Sequence, residues 1–279
     1  MYQTIISSIA TVRYWDFNMP VWVIDVSEEE QVWGDYPDFL NFKVIRSNYH
    51  LKHLAHQVDF KKFDGLQLRL LSKPLTTYHL GLSLQEPTIA SIDADIFFLK
   101  NPKSYLKHKK DEPLAVGRNT GYWRFNKENP KTANAIWLWN EYCVKVCTDY
   151  NMFKEVQKVT YRKCINEEAI INYIFNTGKG KNLFINPDKW ENFLIWDLTN
   201  PNVDTSKIAG LHAIQTAFLS HGLYRGKICL LIREIREMLT SVLGPNRMQD
   251  MFDNFVNVTT SWPIADIWKM MWPNCGKML

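Results

Sequence analysis

The chain has 279 residues, enough to bury one large core or two small ones. Hydrophobic residues make up 46% and charged residues 22%, a balance that excludes a disordered, collagen-like or membrane-embedded chain. The net charge of +4 is too mild for nucleic-acid binding by bulk charge and leaves room for a small anionic ligand.

The apolar run Val21-Trp22-Val23-Ile24-Asp25-Val26 ends at a carboxylate and an acidic stretch, the pattern of a buried strand running into a loop. Ahead of it, Thr4 to Ser7 is read as a short opening strand followed by a helix, or the opening strand is missing. Phe42 to Ile45 is a second strand. From Asp64 to Leu84, leucines recur at helical spacing, with Pro74 expected to open a second helix. Thr88 to Ile92 is a strand leading directly into Asp93-Ala94-Asp95, and Leu114 to Val116 is another. Ile136, Trp139, Cys143 and Val146 stand at steps of three and four, so 131–148 is an amphipathic helix, and Glu167 to Phe175 a more buried one. Leu183 to Ile185 and Ile208 to Leu211 are late strands. Ile228 to Leu243 is a helix closed by Gly244-Pro245.

No internal repeat or low-complexity linker divides the chain. The expectation is one α/β domain over 1–227, with a mainly parallel central sheet covered by helices on both faces, and a helical extension over 228–279 packed on it. Ligands of such sheets bind beyond the carboxyl ends of the strands, where Asp25, Asp93 and Asp95 fall. Five cysteines, at 143, 147, 164, 229 and 275, form neither a CxxC pair nor a zinc-spaced cluster and are read as reduced thiols. The N-terminus lacks a basic and then apolar leader, and no window reaches the roughly 18 apolar residues of a membrane span. The expected setting is therefore the cytoplasm. Aromatic residues reach 14%, with 11 tryptophans, and their faces suit the C–H faces of sugars and bases.

The strongest local signal is Ser91-Ile92-Asp93-Ala94-Asp95-Ile96-Phe97-Phe98, two carboxylates embedded in apolar sequence. Like charges this close and partly desolvated push one pKa upward unless a cation keeps both ionised. Oxygen ligation favours Mg2+ or Mn2+, which leave coordination positions for water or phosphate.

This stretch resembles the DxD segment of glycosyltransferases with the GT-A fold, which use nucleotide sugars. The order of the later segments strengthens the resemblance. Gly117-Arg118-Asn119-Thr120-Gly121-Tyr122 is similar to the family's segment lining the donor sugar. A helix with Trp137 and Trp139 comes next, then Glu167-Glu168-Ala169-Ile170-Ile171-Asn172, which resembles the acidic helix start facing the sugar, and then a strand ending in His212. The resemblance covers about residues 20 to 227 and implies a metal held by Asp93, Asp95 and His212. It implies donor contacts from Asp25, Asp93, Asn119, Thr120, Gly121 and Lys227. It also implies catalytic acids at Glu167 and Glu168, which would orient the sugar, act as base, or stabilise positive charge at C1. Donor breakdown leaves a diphosphate whose growing charge a dication neutralises. The partners implied are a nucleotide sugar, with a UDP-sugar foremost, and a glycan or other hydroxyl acceptor lying over Tyr122, Trp123, Trp190 and Trp196.

The chain departs from the family in its short N-terminal stretch, in the Glu-Glu pair where Asp-Gln or Asp-Glu is commoner, and in lacking a KPW closing motif. His221, six residues before Lys227, competes with His212 as the late ligand. Taken singly, Asn119-Thr120-Gly121 is also an ordinary turn, and acids at 167 and 168 also suit a helix N-terminus. Arg69 and Lys73 are candidates to meet phosphate. The reading is a metal-dependent hexosyltransferase, with a catalytically inactive nucleotide-sugar or glycan-binding protein on the same scaffold as the alternative.

Overall fold

Ile6, Ile9 and Ala10 recur at steps of three and one, and they are buried together on one side of a helix, α1 (Tyr2–Trp15). A strand over Thr4 to Ser7 is therefore corrected to a helix: Thr4, Ser7, Ser8 and Thr11, which break up the apolar residues, are themselves buried. In the computed structural model, which describes residues 2–27, 31–46, 63–104, 112–200, 202–212 and 225–256, the remaining elements run in this order. Strand β1 (Trp22–Asp25), a one-turn helix α2 (Tyr36–Phe39) and β2 (Lys43–Arg46) lead to the long helix α3 (Gly65–Ser83). Then come β3 (Thr88–Ile92), β4 (Ile96–Phe98), β5 (Leu114–Val116), β6 (Tyr122–Asn126) and three helices, α4 (Pro130–Thr148), α5 (Tyr150–Thr160) and α6 (Glu167–Asn176). Strands β7 (Phe184–Ile185), β8 (Phe193–Leu194) and β9 (Gly210–His212) precede the last helix, α7 (Arg225–Val256).

The chain is α/β, but its strands form three small sheets rather than one mainly parallel one. One holds β1 and β2 in parallel. The second has the order β3-β6-β5-β7, in which β6 runs antiparallel to both neighbours and only β5 and β7 are parallel. The third has the order β4-β9-β8, antiparallel and then parallel. Residues 117–121 are the whole link from β5 to β6, too short for the crossover a parallel pair needs. Buried strands carry apolar side chains on both faces in either orientation, so composition does not reveal the direction.

One helix also differs from its expected bounds. Pro74 lies inside α3, which continues across it from a capping box in which Asp64 Oδ1 accepts from Gln67 N at 2.8 Å and Gln67 Oε1 accepts from Asp64 N at 3.2 Å. Gly244, at φ 76° and ψ 164°, is non-helical, so the first stretch of α7 ends there as the sequence leads one to expect, and a second helical stretch runs from Pro245 to Val256.

Two apolar clusters carry the packing. One joins α1, Phe97, Leu211 and the α7 residues Leu231, Ile232, Ile235 and Leu239. The other joins α3, α4, α5 and α6 to β5 and β6 through Leu71, Trp123, Trp139, Ile170 and their neighbours. Each such aliphatic side chain contributes about 1.5–3 kcal/mol on burial. Helix α1 also closes the open edge of β4: Ser8 Oγ donates to Ile96 O at 2.6 Å, Thr11 Oγ1 accepts from Phe98 N at 3.0 Å, and Trp15 Nε1 donates to Phe98 O at 3.0 Å. Buried hydroxyls thus satisfy main-chain groups that an edge strand would leave unpaired. Among the described residues, no helix is long and apolar enough to cross a membrane.

Candidate metal centre

Asp93-Ala94-Asp95 is the bridge between two sheets: β3, before it, belongs to one and β4, after it, to another. The registers on either side decide what the two acids face. Ile92 pairs with Tyr122, and Asp93 N donates to Gly121 O at 2.7 Å, which sets Asp93 beside the 119–121 segment. Ile96 pairs with His212, which sets Asp95 beside the imidazole at the end of β9. His212 Nε2 lies 3.1 Å from Asp95 Oδ1 and 4.0 Å from Asp93 Oδ2. One ligand atom from each of the three residues falls within 4.8 Å of the others.

Those spacings fit a dication. Octahedral bonds of about 2.1 Å put neighbouring ligand atoms about 3 Å apart and opposite ones about 4.2 Å apart. Asp93 and Asp95 are partly open to solvent while His212 is only 1% exposed, so the far ligand is fixed and the near side is accessible. The bare α-carbon of Gly121 makes room for the ring. A Cβ there would lie 2.0 Å from His212 Cε1 and 2.5 Å from Nδ1.

Behind the acids lies a buried charge network. Lys73, from α3, makes an ion pair with Asp93 Oδ1, donates to Thr120 O at 3.2 Å and lies 3.6 Å from Glu167 Oε1. Burial works to lower the pKa of Lys73, but Asp93 and Glu167 outweigh it and raise the value, so the ammonium stays charged. Glu167 is pushed up to about 7, first by burial; Lys73 opposes the shift, the charge of Asp93 adds to it, and the Thr120 hydroxyl opposes it. Thr120 Oγ1 donates to Glu167 Oε1 at 3.0 Å, whereas Glu167 Oε2 is buried without a hydrogen-bond partner.

The residues named from sequence divide accordingly. Asp93, Asp95 and His212 come together, and Asn119, Thr120, Gly121, Glu167 and Glu168 lie around them. Thr120 is buried and its hydroxyl is committed to Glu167. Asn119 Oδ1 accepts from Gly121 N at 2.9 Å and from Asn192 Nδ2 at 3.0 Å, and its Nδ2 donates to Glu168 Oε2 at 3.3 Å. Glu168 Oε1 pairs with Arg162. Asn166 caps α6 by accepting from Ala169 N at 2.9 Å, and Trp139 Nε1 donates to Glu167 O at 3.1 Å, so the acidic helix start is held from outside and from beneath.

Asp25 ends β1 and accepts from Ser27 N at 3.0 Å, a local cap with no hydrogen bond or ion pair to the Asp93 cluster among the described residues. His221 and the side chains of Arg225, Lys227 and Trp196 lie outside the described residues. Tyr122 and Trp123 are fully buried and do not form an aromatic floor. Trp190 stacks on Phe193 at 5.4 Å between centroids, with Lys189 4.7 Å from its ring. Lys73, a candidate for phosphate, is bound to acids instead.

Sequence reading missed Asn192 and Arg162. Asn192 carries no local signal; its segment is braced by a buried ion pair between Glu191 and Arg124, and Arg124 Nη1 also donates to Tyr122 Oη at 2.7 Å. Arg162 precedes the Glu167 helix, and only its pairing with Glu168 marks it. No protein-family model matches the chain, and no curated protein matches it.

Proposed function

We propose that the protein is a metal-dependent glycosyltransferase of the GT-A kind, moving a sugar from a nucleoside diphosphate sugar, with UDP-sugars foremost, to a hydroxyl acceptor such as a glycan. The observation that carries the reading is the convergence of Asp93, Asp95 and His212 within 4.8 Å at a junction of two sheets, beside the 119–121 segment in which Gly121 has no side chain. Two carboxylates with one imidazole favour Mn2+ over Mg2+. Bound there, the dication would neutralise the charge that grows on the departing diphosphate.

The chain's own side chains supply the rest of the reading. Lys73 pairs with Asp93 Oδ1 and fixes it, leaving Oδ2 toward His212. Gly121 permits close approach to the main chain. Asn119 spends one amide hydrogen on Glu168 and retains a second for a sugar hydroxyl. Glu168, held from both oxygens, orients the sugar, while Glu167 steadies Lys73 and Thr120. Free thiols at Cys143, Cys147 and Cys164 support a reducing, cytoplasmic setting.

The test is a screen of nucleotide sugars with and without Mn2+, reading released nucleoside diphosphate. Release that needs the dication and disappears in Asp95→Ala, with wild-type melting in chelator, supports the proposal; release indifferent to Asp95→Ala removes it.

One observation favours a second reading, donor or glycan binding without turnover. Glu167 is sequestered and both oxygens of Glu168 are already engaged, which leaves no carboxylate at the start of α6 free to act as a base. Calorimetric donor binding without sugar release on long incubation would select it.

A further inference from the structure

Helix α5 ends on Tyr161 in the left-handed backbone region, at φ 57° and ψ 26°. This residue is 93% exposed. Glycine or asparagine closes a helix in that conformation at lower cost than a side chain with a bulky ring. A ring that covers nothing recovers no burial energy in return. Neither the backbone nor the packing therefore accounts for a tyrosine here.

Its neighbour ties it to the candidate centre. Arg162 pairs with Glu168 Oε1, Glu168 Oε2 accepts from Asn119 Nδ2 at 3.3 Å, and Asn119 holds the main chain of Gly121 against His212. Asn172 fixes the same corner from below, donating to Arg118 O at 2.7 Å and to Glu168 O at 2.8 Å. The Arg162 side chain is 40% exposed and carries five N–H donors, more than one carboxylate oxygen uses. An exposed aromatic ring on one residue and spare guanidinium donors on the next residue of the chain are the two kinds of group that recognise a pyranose: a ring takes the C–H face and donors take the hydroxyls.

We propose that Tyr161 and Arg162 form the acceptor subsite, binding a neutral pyranose chain with one sugar stacked on Tyr161 and its hydroxyls on Arg162. The inference rests on the glycosyltransferase reading, and it relocates the acceptor platform from Tyr122 and Trp123, which are buried. Arg162 has two duties here, positioning Glu168 and binding acceptor, whereas Tyr161 has only the second.

The test uses the full chain without donor and measures binding of maltotriose, cellotriose, xylotriose, N,N′,N″-triacetylchitotriose and lactose by ligand-observed NMR and calorimetry. At least one is expected to bind wild type, and Tyr161→Phe to bind it equally. Tyr161→Asn, which suits the left-handed backbone, is expected to weaken binding by about three- to tenfold without lowering the melting temperature. Equal binding by Tyr161→Asn, or no binding of any probe by wild type, overturns the subsite. If Mn2+-dependent diphosphate release persists in that event, only the subsite falls. If Tyr161-dependent binding is seen without any such release, the transferase reading falls and a glycan-binding surface remains.

Discussion

The imidazole of His212 occupies the space that a side chain on Gly121 would fill, since a Cβ built on Gly121 lies 2.0 Å from His212 Cε1. The contact joins two sheets, because Gly121 leads into β6 and His212 ends β9. His212 is buried and its backbone is paired with Ile96, so the ring has little room to retreat.

Gly121→Ala is therefore expected to push the imidazole off Asp95 and to destabilise the fold by about 1–3 kcal/mol through overpacking. Urea denaturation measures the loss of stability, and Mn2+ titration followed by electron paramagnetic resonance measures the displaced ligand. Gly117→Ala is the control, since a Cβ there meets nothing closer than 3.7 Å. Equal Mn2+ affinity in the two variants would show that the His212 contact does not shape the centre.

A dication that binds the folded chain alone raises its stability by mass action, about 2.7 kcal/mol when present at a hundred times its dissociation constant. Mn2+ is expected to raise the melting temperature of wild type in proportion to the logarithm of its concentration. Asp95→Ala and His212→Ala are each expected to abolish that rise. A wild-type melting curve insensitive to Mn2+ in the millimolar range would count against the centre.

The acids and the strand before them are legible in the sequence because an apolar run from Thr88 to Ile92 ends abruptly in two carboxylates, and no solvated turn is framed that way on both sides. His212 is legible as the end of an apolar strand. The partnerships that make these residues a site are not. Lys73 and Asp93 stand on a helix and a turn whose docking depends on tertiary packing. Asn192 reaches Asn119 from a loop braced by the Glu191 and Arg124 pair. The strand reading of Thr4 to Ser7 fails where α1 begins, and the role of the helix expected to follow is hidden too: Ser8 and Thr11 are buried to satisfy the edge of β4. Hydrogen bonding to a distant strand leaves no periodic mark in a sequence.

Glu167 makes stability depend on pH in an unusual direction. Its carboxyl moves from 4.5 to about 7 on folding, so between those values the folded chain holds a proton that the unfolded chain has released. Stability from this group is complete below pH 4.5 and declines as pH rises through about 7, by up to about 3 kcal/mol. Urea denaturation in chelator on the acid side and the alkaline side of that window measures it, and Glu167→Gln is expected to flatten the difference. An unchanged pH profile in that variant would assign the dependence to other groups.

Lys73 supplies the positive charge that lets Asp93 and Glu167 lie close together. Its replacement by methionine keeps the apolar stem and removes the ammonium, leaving acids without their counter-charge, a change that costs about 3–5 kcal/mol where a buried pair is broken. Much of that loss is expected to return in Lys73→Met combined with Glu167→Gln, because neutralising the more deeply buried acid removes the larger uncompensated charge. Mn2+ should also restore part of it, since a dication at Asp93 and Asp95 opposes the same negative potential from the other side. The double-mutant cycle, run with and without Mn2+, separates the two compensations. Additive single-variant losses, untouched by the metal, would mean that Lys73 acts only by packing on α3.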